Sequence, residues 1–168
     1  MPVRTPKELF VILHSDTRQS TERSAKLYQE ISQAALDPDI REALEWRARI
    51  SEKDLSPVDR CFELIGETPV KLSGRMQEAF VEDFRRELAE MQNPIAKHIS
   101  VLAKASHLIH FRIAEYASLV AAADMTGHYA VGVLLESCLA DKLAFVERTR
   151  RLIRNLVAAK LPANLASA

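Results

Sequence analysis

The sequence predicts an all-α protein in which four long helices and one short helix pack as a four-helix bundle. Three observations support this prediction. Apolar residues recur every three or four positions in four long segments, capping residues open three of them, and no segment alternates apolar and polar residues as a strand does. The short helix is predicted between the second and third long helices. We expect residues 5–160 to form one domain and residues 161–168 to be a frayed C-terminal tail.

Local signals place the helix ends. The first three long helices each open with a capping residue directly before proline, at Thr5–Pro6, Asp37–Pro38 and Asn93–Pro94. Glu8 completes a capping box with Thr5. Gly66 ends the second helix and Gly127 marks the turn before the last one. The predicted helices span residues 6–35, 38–65, 75–92, 94–125 and 128–159.

The apolar pattern of the long helices becomes polar near the middle of each segment. Ser20 and Ser24 lie on the otherwise apolar face of the first helix, and Ser51 lies on that of the second. Lys142 lies on the apolar face of the last helix. Antiparallel helices with such breaks are expected to form a bundle with a polar layer at its centre, which is where bundles place metals. Pro57 is expected to kink the second helix or to restart it with Ser56 as a cap.

Composition narrows the class of protein. With 168 residues, 48% of them hydrophobic, and zero net charge, the chain suits one soluble domain. The apolar run near the N-terminus is too short for a signal sequence or membrane span, so we expect a cytoplasmic protein with no membrane contact. Balanced charge without a basic block argues against nucleic-acid binding. Cys61 and Cys138 lack a metal-binding motif and are expected to be buried thiols.

The segment FRIAEYASLVAAADMTGHYAVGVLLES, residues 111–137, resembles the ferritin-like bacterial stress proteins of the YciE/YciF type. The stretch LHSDT, residues 13–17, resembles the start of the same family, and the likeness extends over residues 5–157. The resemblance implies a ferritin-like four-helix bundle with an extra short helix, a homodimer and a role in stress.

The same resemblance implies a di-iron site, because that family carries glutamates and a Glu-x-x-His pair on the facing helices. Compared position by position, the pattern is eroded. The first-helix glutamate falls on Thr21, with Glu22 one residue too late and turned by about 100° on the helix. The remaining family positions are occupied as follows: Glu52 is kept, its histidine partner is Leu55, Ile109 and Arg112 replace glutamates, His110 matches a histidine, and Asp141 and Lys142 replace a glutamate pair.

Arg112 and Lys142 put cations where the family has ligands, and a buried cation needs a partner because its desolvation costs several kcal/mol. We therefore expect a central salt-bridge layer made of Glu52, Arg112, Asp141 and Lys142 in place of a metal or other cofactor. The prediction is a stress-related bundle with a degenerate di-iron site and a structural or interaction role, leaning away from an enzyme. Its protein partner is not specified by the sequence.

Two alternatives remain open from the residues. One is a di-iron or di-manganese protein with ferroxidase, peroxide-detoxifying or metal-storage activity that uses Glu22, Glu52, His110 and Asp141. The other is a small-molecule binder with its pocket in the polar layer. His107 and His110 have no acidic residue one turn away, which favours packed or exposed imidazoles over metal ligands. The homodimer is supported only by an apolar stripe on the short helix, formed by Met76, Phe80, Phe84 and Leu88.

Overall fold

The computed structural model describes residues 3–160, and the predicted tail at 161–168 lies outside the described residues. Every regular element within 3–160 is a helix: α1 Pro6–Ala34, α2 Pro38–Ile65, α3 Arg75–Glu90, α4 Pro94–Met125 and α5 Tyr129–Lys160. The all-α prediction is confirmed, and the helix ends lie close to the predicted positions. None of the helices in this range is both long and apolar enough to cross a membrane.

The predicted caps form the expected hydrogen bonds. Thr5 Oγ1 accepts the N–H of Glu8 at 3.1 Å, and the Glu8 carboxylate accepts the N–H of Thr5 at 3.2 Å, which completes the capping box. Asp37 caps α2 and Asn93 caps α4. The side-chain oxygen of each residue accepts hydrogen bonds from two backbone N–H groups in the first turn of its helix. Gly66 ends α2 with a φ of 68°, a left-handed conformation that glycine adopts without strain.

Pro57 lies inside a continuous α2, so the predicted restart at Ser56 is wrong. The proline removes one backbone N–H, yet the residues on either side of it are fixed by packing. Asp54 and Val58 are both buried, and the Val58 carbonyl oxygen is 3.0 Å from Nε2 of His14 on α1. These contacts hold the helix together across the proline.

Contacts between helices define the order of the bundle. α1 packs against α2 and α4, and α5 packs against the same two helices, so α1 and α5 lie on opposite corners. Residues 21 and 28 of α1 contact residues 116 and 105 of α4, so these two helices are antiparallel. Residues 42 and 54 of α2 contact residues 148 and 142 of α5 in the same antiparallel sense. α1 and α2 pack together across a short loop, which makes them antiparallel as well. α2 and α4 therefore point the same way, and the chain must return along the bundle between them. Residues 66–93, which include α3, make this crossover.

The core has two apolar ends with polar residues between them. One end contains Tyr28, Leu44, Phe84 and Phe145, and the other contains Phe10, Phe62 and Tyr116 together with the residues around them. Between these clusters lie buried polar side chains from all four long helices: Thr17, Ser20, Thr21 and Ser24 from α1; Arg47, Ser51 and Asp54 from α2; Arg112 from α4; Lys142 from α5. The bundle therefore has the polar central layer that the sequence pattern predicts.

The apolar stripe of α3 is covered by the bundle itself. Phe84 is 1% exposed within one core cluster, and Phe80 and Leu88 pack against the same cluster. The side chain of Met76, the fourth member of the predicted stripe, lies outside the described residues. This stripe therefore gives no support for a homodimer, although a dimer by another surface stays a prediction.

Candidate functional site

The centre of the polar layer is a carboxylate shared by two buried cations. Asp54 Oδ2 accepts hydrogen bonds from Nη2 of Arg47 at 2.9 Å and from Nζ of Lys142 at 2.8 Å. All three side chains are at most 4% exposed. Arg47 and Asp54 are seven residues apart on α2, so two helical turns bring them onto one face. Ser51 lies between them and accepts a further hydrogen bond from Arg47.

Lys142 is enclosed by groups that favour its charge. Besides Asp54, its ammonium donates to the backbone oxygen of Cys138 at 3.0 Å and lies 3.7 Å from the centre of the Tyr116 ring. Cation–π contact of this kind stabilises a desolvated ammonium. Burial lowers the pKa of Lys142, while the neighbouring Asp54 carboxylate raises it. Lys142 is thus buried within the layer and does not extend to solvent.

Tyr116 links the ammonium site to α1. Its hydroxyl is 3.0 Å from Oγ1 of Thr21, which in turn donates to the backbone oxygen of Thr17 at 2.7 Å. Burial raises the pKa of Tyr116 well above its usual range, so this phenol stays protonated and can donate a hydrogen bond. The position that the family resemblance assigns to a first-helix glutamate is thus a threonine within a hydrogen-bonded pair.

Arg112 forms a second ion pair at the edge of the layer. Its guanidinium is 2% exposed and contacts the carboxylate of Glu115 one turn further along α4. Within the described residues, its Nε and Nη1 atoms have no hydrogen-bond partner, and burial lowers the pKa of the guanidinium. Burial raises the pKa of Glu115 to about 7, although Arg112 opposes the shift. The charge of this pair therefore depends on pH near neutrality.

His14 occupies the interior toward the Phe10 end of the bundle. The ring is fully buried, and it packs against Phe10 and Phe62 with centroid distances of 5.7 and 4.3 Å. Its Nε2 is 3.0 Å from the carbonyl oxygen of Val58, which fits a neutral ring with the proton on that nitrogen. Burial lowers the pKa of His14. The packing and the hydrogen bond give this histidine a structural role.

The predicted metal-ligand candidates lie away from the centre. Glu22 is exposed and pairs with Arg18 and Lys26 on the surface of α1. Glu52 and His110 are exposed, and the Nδ1 atom of His110 is 2.7 Å from the Ser106 carbonyl oxygen of its own helix. Asp141 is half-buried beside the layer. Within residues 3–160, no three histidine, cysteine or acidic side chains lie close enough together to hold a metal ion.

The two buried cations of the expected salt-bridge layer lie beside acids other than Glu52 and Asp141. Arg112 and Lys142 are buried, but Lys142 pairs with Asp54 and Arg112 pairs with Glu115. Glu52 is two residues before Asp54, which turns it by about 200° on the helix and points it to solvent. Asp141 is one residue before Lys142, so its side chain leaves the helix about 100° away from the shared carboxylate.

Arg47 and Asp54 were not identified from the sequence. The two residues are seven positions apart with Ser51 between them. This spacing of two helical turns places both charges on the polar part of the buried face, and it is the feature of the sequence that indicates them. Glu115 gave a weaker signal, as an acidic residue one turn after Arg112 in an otherwise uncharged stretch. A buried cation predicts a nearby acid. Asp54 lies two helical turns from Arg47, and Glu115 lies about one turn from Arg112.

The residues of the layer do not fit a two-metal centre. Such a centre needs several carboxylates to bridge and neutralise two cations. Here the buried carboxylates of the layer are Asp54, already bound to two side-chain cations, and Glu115, which contacts Arg112. Asp16 is half-buried close to that second pair, and among the described residues it forms no metal-binding group with its neighbours. The chemistry available at this site is internal charge compensation.

The family described as Domain of unknown function (DUF892) matches residues 5–162. No curated protein matches the sequence. Similar solved structures include the Escherichia coli stress protein YciF, with a TM-score of 0.89 and 18% identity over 94% of this chain and 100% of that chain.

Two further solved structures share the architecture. YcfI from Rhodopseudomonas palustris has a TM-score of 0.84 and 18% identity over 88% of this chain and 94% of its own. A protein from Xanthomonas campestris has a TM-score of 0.67 and 18% identity over 93% of this chain and 99% of its own. At this level of identity the likeness establishes a common fold.

Proposed function

This chain belongs to the DUF892 family, a domain of unknown function, and from that premise we propose that it is a ferritin-like bundle with a structural or interaction role rather than a catalytic one. In this proposal the ancestral di-metal site is degenerate, and internal ion pairs hold the four long helices together. No metal or other cofactor is needed for the fold.

One observation carries the proposal. The Asp54 carboxylate is bound by Arg47 at 2.9 Å and by Lys142 at 2.8 Å, so α2 and α5 are joined by a charge network at the depth where a bundle would hold metal. A metal ion at this depth would have to displace both cations from the carboxylate. The buried ammonium and guanidinium would then be left without a counter-ion, at a cost of several kcal/mol each.

The helix order supports the ferritin-like assignment. Four-helix bundles of the ferritin-like type have one long crossover connection, whereas simple up-down bundles have short loops throughout. The crossover between α2 and α4 extends over residues 66–93, and the other two connections are only a few residues long.

Elemental analysis tests the proposal directly. The full chain would be expressed in medium supplemented with iron and manganese, purified without chelator or affinity tag, and measured by mass spectrometry. Asp54→Asn removes the shared charge, and Glu52→Gln on the exposed side of the same helix is the matched control. We expect near-zero metal in all three proteins and a loss of stability in Asp54→Asn alone. About two metals per wild-type chain would refute the proposal and direct attention to ferroxidase and peroxide assays.

A homodimer forms part of the proposal, with its contact at the turn between α4 and α5. Three large apolar side chains are highly exposed there: Met125 at 86%, Tyr129 at 69% and Val133 at 66%. A cluster of this kind is typical of a contact surface. Val133→Glu should give a monomer in light scattering, whereas Leu36→Glu, an exposed leucine on the loop between α1 and α2, should not change the mass. A monomeric wild-type protein would remove the dimer from the proposal.

The remaining parts of the proposal concern the cell. A stress-related role is suggested by the likeness to YciF, which is described as a stress protein. A cytoplasmic location is also part of the proposal. The lack of nucleic-acid binding is suggested by the zero net charge and by the absence of a basic block in the sequence. Fractionation of the source cells, and a binding titration with duplex DNA at low salt, test these two points separately.

A further inference from the structure

A cavity of about 660 Å³ lies where α3 crosses α1 and α4, and none of its lining residues belongs to the Asp54 network. Its volume is in the range of small-molecule sites, which is roughly 300 to 1,000 Å³. Apolar side chains from all three helices line it, among them Leu27, Phe80, Val81, Leu108 and Phe111. The cavity is mostly apolar, and it opens to solvent between charged residues.

Ser24 places an unsatisfied hydroxyl in this cavity. The residue is 3% exposed, it lines the cavity, and within the described residues its Oγ has no hydrogen-bond partner. Other hydroxyls on α1 bond back to their own helix: Ser15 donates to Val11 at 2.6 Å and Thr21 donates to Thr17 at 2.7 Å. A buried hydroxyl without a partner is unfavourable, so an oxygen or nitrogen atom of a ligand would improve the site.

Two pairs of opposite charge join α1 and α3 at the cavity mouth. Arg85 on α3 forms two hydrogen bonds with Glu30 on α1, at 2.6 and 2.9 Å. Arg23 on α1 donates to the Gly74 carbonyl oxygen at 2.9 Å and lies 3.3 Å from Glu78 on α3. Lys26 and Asp83 also line the cavity, and they pair with Glu22 and Arg86 outside it. A charged ligand would therefore meet side chains of its own charge as well as of the opposite charge, and it would lose its hydration. The mouth therefore favours an uncharged ligand.

From these features we propose that the cavity between α1, α3 and α4 binds a neutral, mainly apolar small molecule that carries one hydrogen-bonding oxygen. The apolar body lies between Phe80 and Phe111, and the oxygen meets the Ser24 hydroxyl. Aromatic rings suit this position because Phe80 and Phe111 offer stacking or edge contacts. The inference is independent of the proposed function, since the cavity shares no residue with the Asp54 network.

Two neutral probes of similar size test the role of Ser24. 2-Naphthol carries the oxygen and naphthalene lacks it, and both would be titrated against the full chain with binding followed by NMR chemical shifts. One hydrogen bond predicts that wild-type protein binds 2-naphthol about threefold to tenfold more tightly than naphthalene. Ser24→Ala should bind the two probes equally and leave naphthalene affinity unchanged. A preference for 2-naphthol that survives in Ser24→Ala would overturn the proposal.

Two tryptophan variants test the location. Ala79 is an exposed residue on the cavity wall, so Ala79→Trp should fill the mouth and weaken both probes at least tenfold. Ala89→Trp changes an exposed residue elsewhere on the same helix, and it should bind as wild type does. Circular dichroism confirms that each variant is folded. Equal binding by Ala79→Trp and wild type would place the probes elsewhere and refute the assignment.

Two further measurements test the nature of the occupant. Naphthalene-2-sulfonate should bind at least tenfold more weakly than 2-naphthol, because the carboxylates at the mouth repel its charge and the cations there are already paired. Equal or tighter binding would contradict a neutral ligand. Probe affinity should also be independent of protein concentration. Affinity that falls as the protein is concentrated would make the cavity a contact between copies of the chain, and would refute a small-molecule site.

Discussion

Replacing Asp54 with asparagine removes the negative charge shared by Arg47 and Lys142 and keeps the volume of the side chain. Both cations are then left in an interior where the three side chains are at most 4% exposed. Breaking a buried ion pair by removing one partner costs about 3–5 kcal/mol. The asparagine oxygen still accepts one hydrogen bond, so we expect a loss of about 3 kcal/mol in the free energy of unfolding.

For a protein of 168 residues, this loss corresponds to a decrease of about 6–12 °C in Tm. Urea and thermal unfolding followed by far-UV circular dichroism measure both quantities. Glu52→Gln, two residues earlier on the exposed side of α2, should stay within about 0.5 kcal/mol of wild type. Lys142→Met should cost less than Asp54→Asn, since the carboxylate keeps its bond to Arg47.

The double variant isolates the interaction. Asp54→Asn combined with Lys142→Met removes both charges of the closer pair, so the combined loss should be at least 1 kcal/mol smaller than the sum of the two single losses. If Asp54→Asn and Glu52→Gln are equally stable within error, or if the single losses simply add, the shared carboxylate does not hold α2 and α5 together.

Three further perturbations probe other parts of the fold. The pKa of Glu115 is raised from 4.5 to about 7. Between these two pH values the folded protein keeps a proton that the unfolded chain has released. The free energy of unfolding should therefore fall by on the order of 3 kcal/mol as the pH rises through this range. Glu115→Gln should lack this fall in a urea titration series, and an unchanged pH profile would refute the shift. The lowered pKa of His14 has the opposite sign: stability should decrease as pH falls below about 6.5, and His14→Gln should lose that dependence in the same assay. Phe84→Ala should lower the free energy of unfolding by up to about 3–5 kcal/mol and detach α3 from the bundle. Hydrogen exchange should then be faster at residues 78–90, while the amides of α1 and α4 stay protected. A uniform loss of protection would show instead that α3 is integral to the bundle.

The sequence by itself determined the helices, because their signals are local. Thr5, Asp37 and Asn93 satisfy N–H groups within three residues of themselves, and Gly66 adopts its left-handed conformation within the turn. The polar middle of each apolar ladder also appears in the sequence, so a polar central layer could be predicted. Pro57 shows the limit of local rules, since α2 is continuous across it and the Val58 carbonyl oxygen lies 3.0 Å from Nε2 of His14 on α1.

The tertiary structure decided which acid neutralises which cation. A helix turns by about 100° per residue, so choosing Glu52 or Asp54 requires the rotation of α2 about its axis, which only its packing against α1 and α5 fixes. The same packing brings Lys142 to Asp54 from a position 88 residues away in the chain and decides that this lysine is buried. The cavity beneath α3 belongs to the same category. It arises because a 16-residue helix crosses two long ones without filling the space between them, and no spacing within the sequence records that gap.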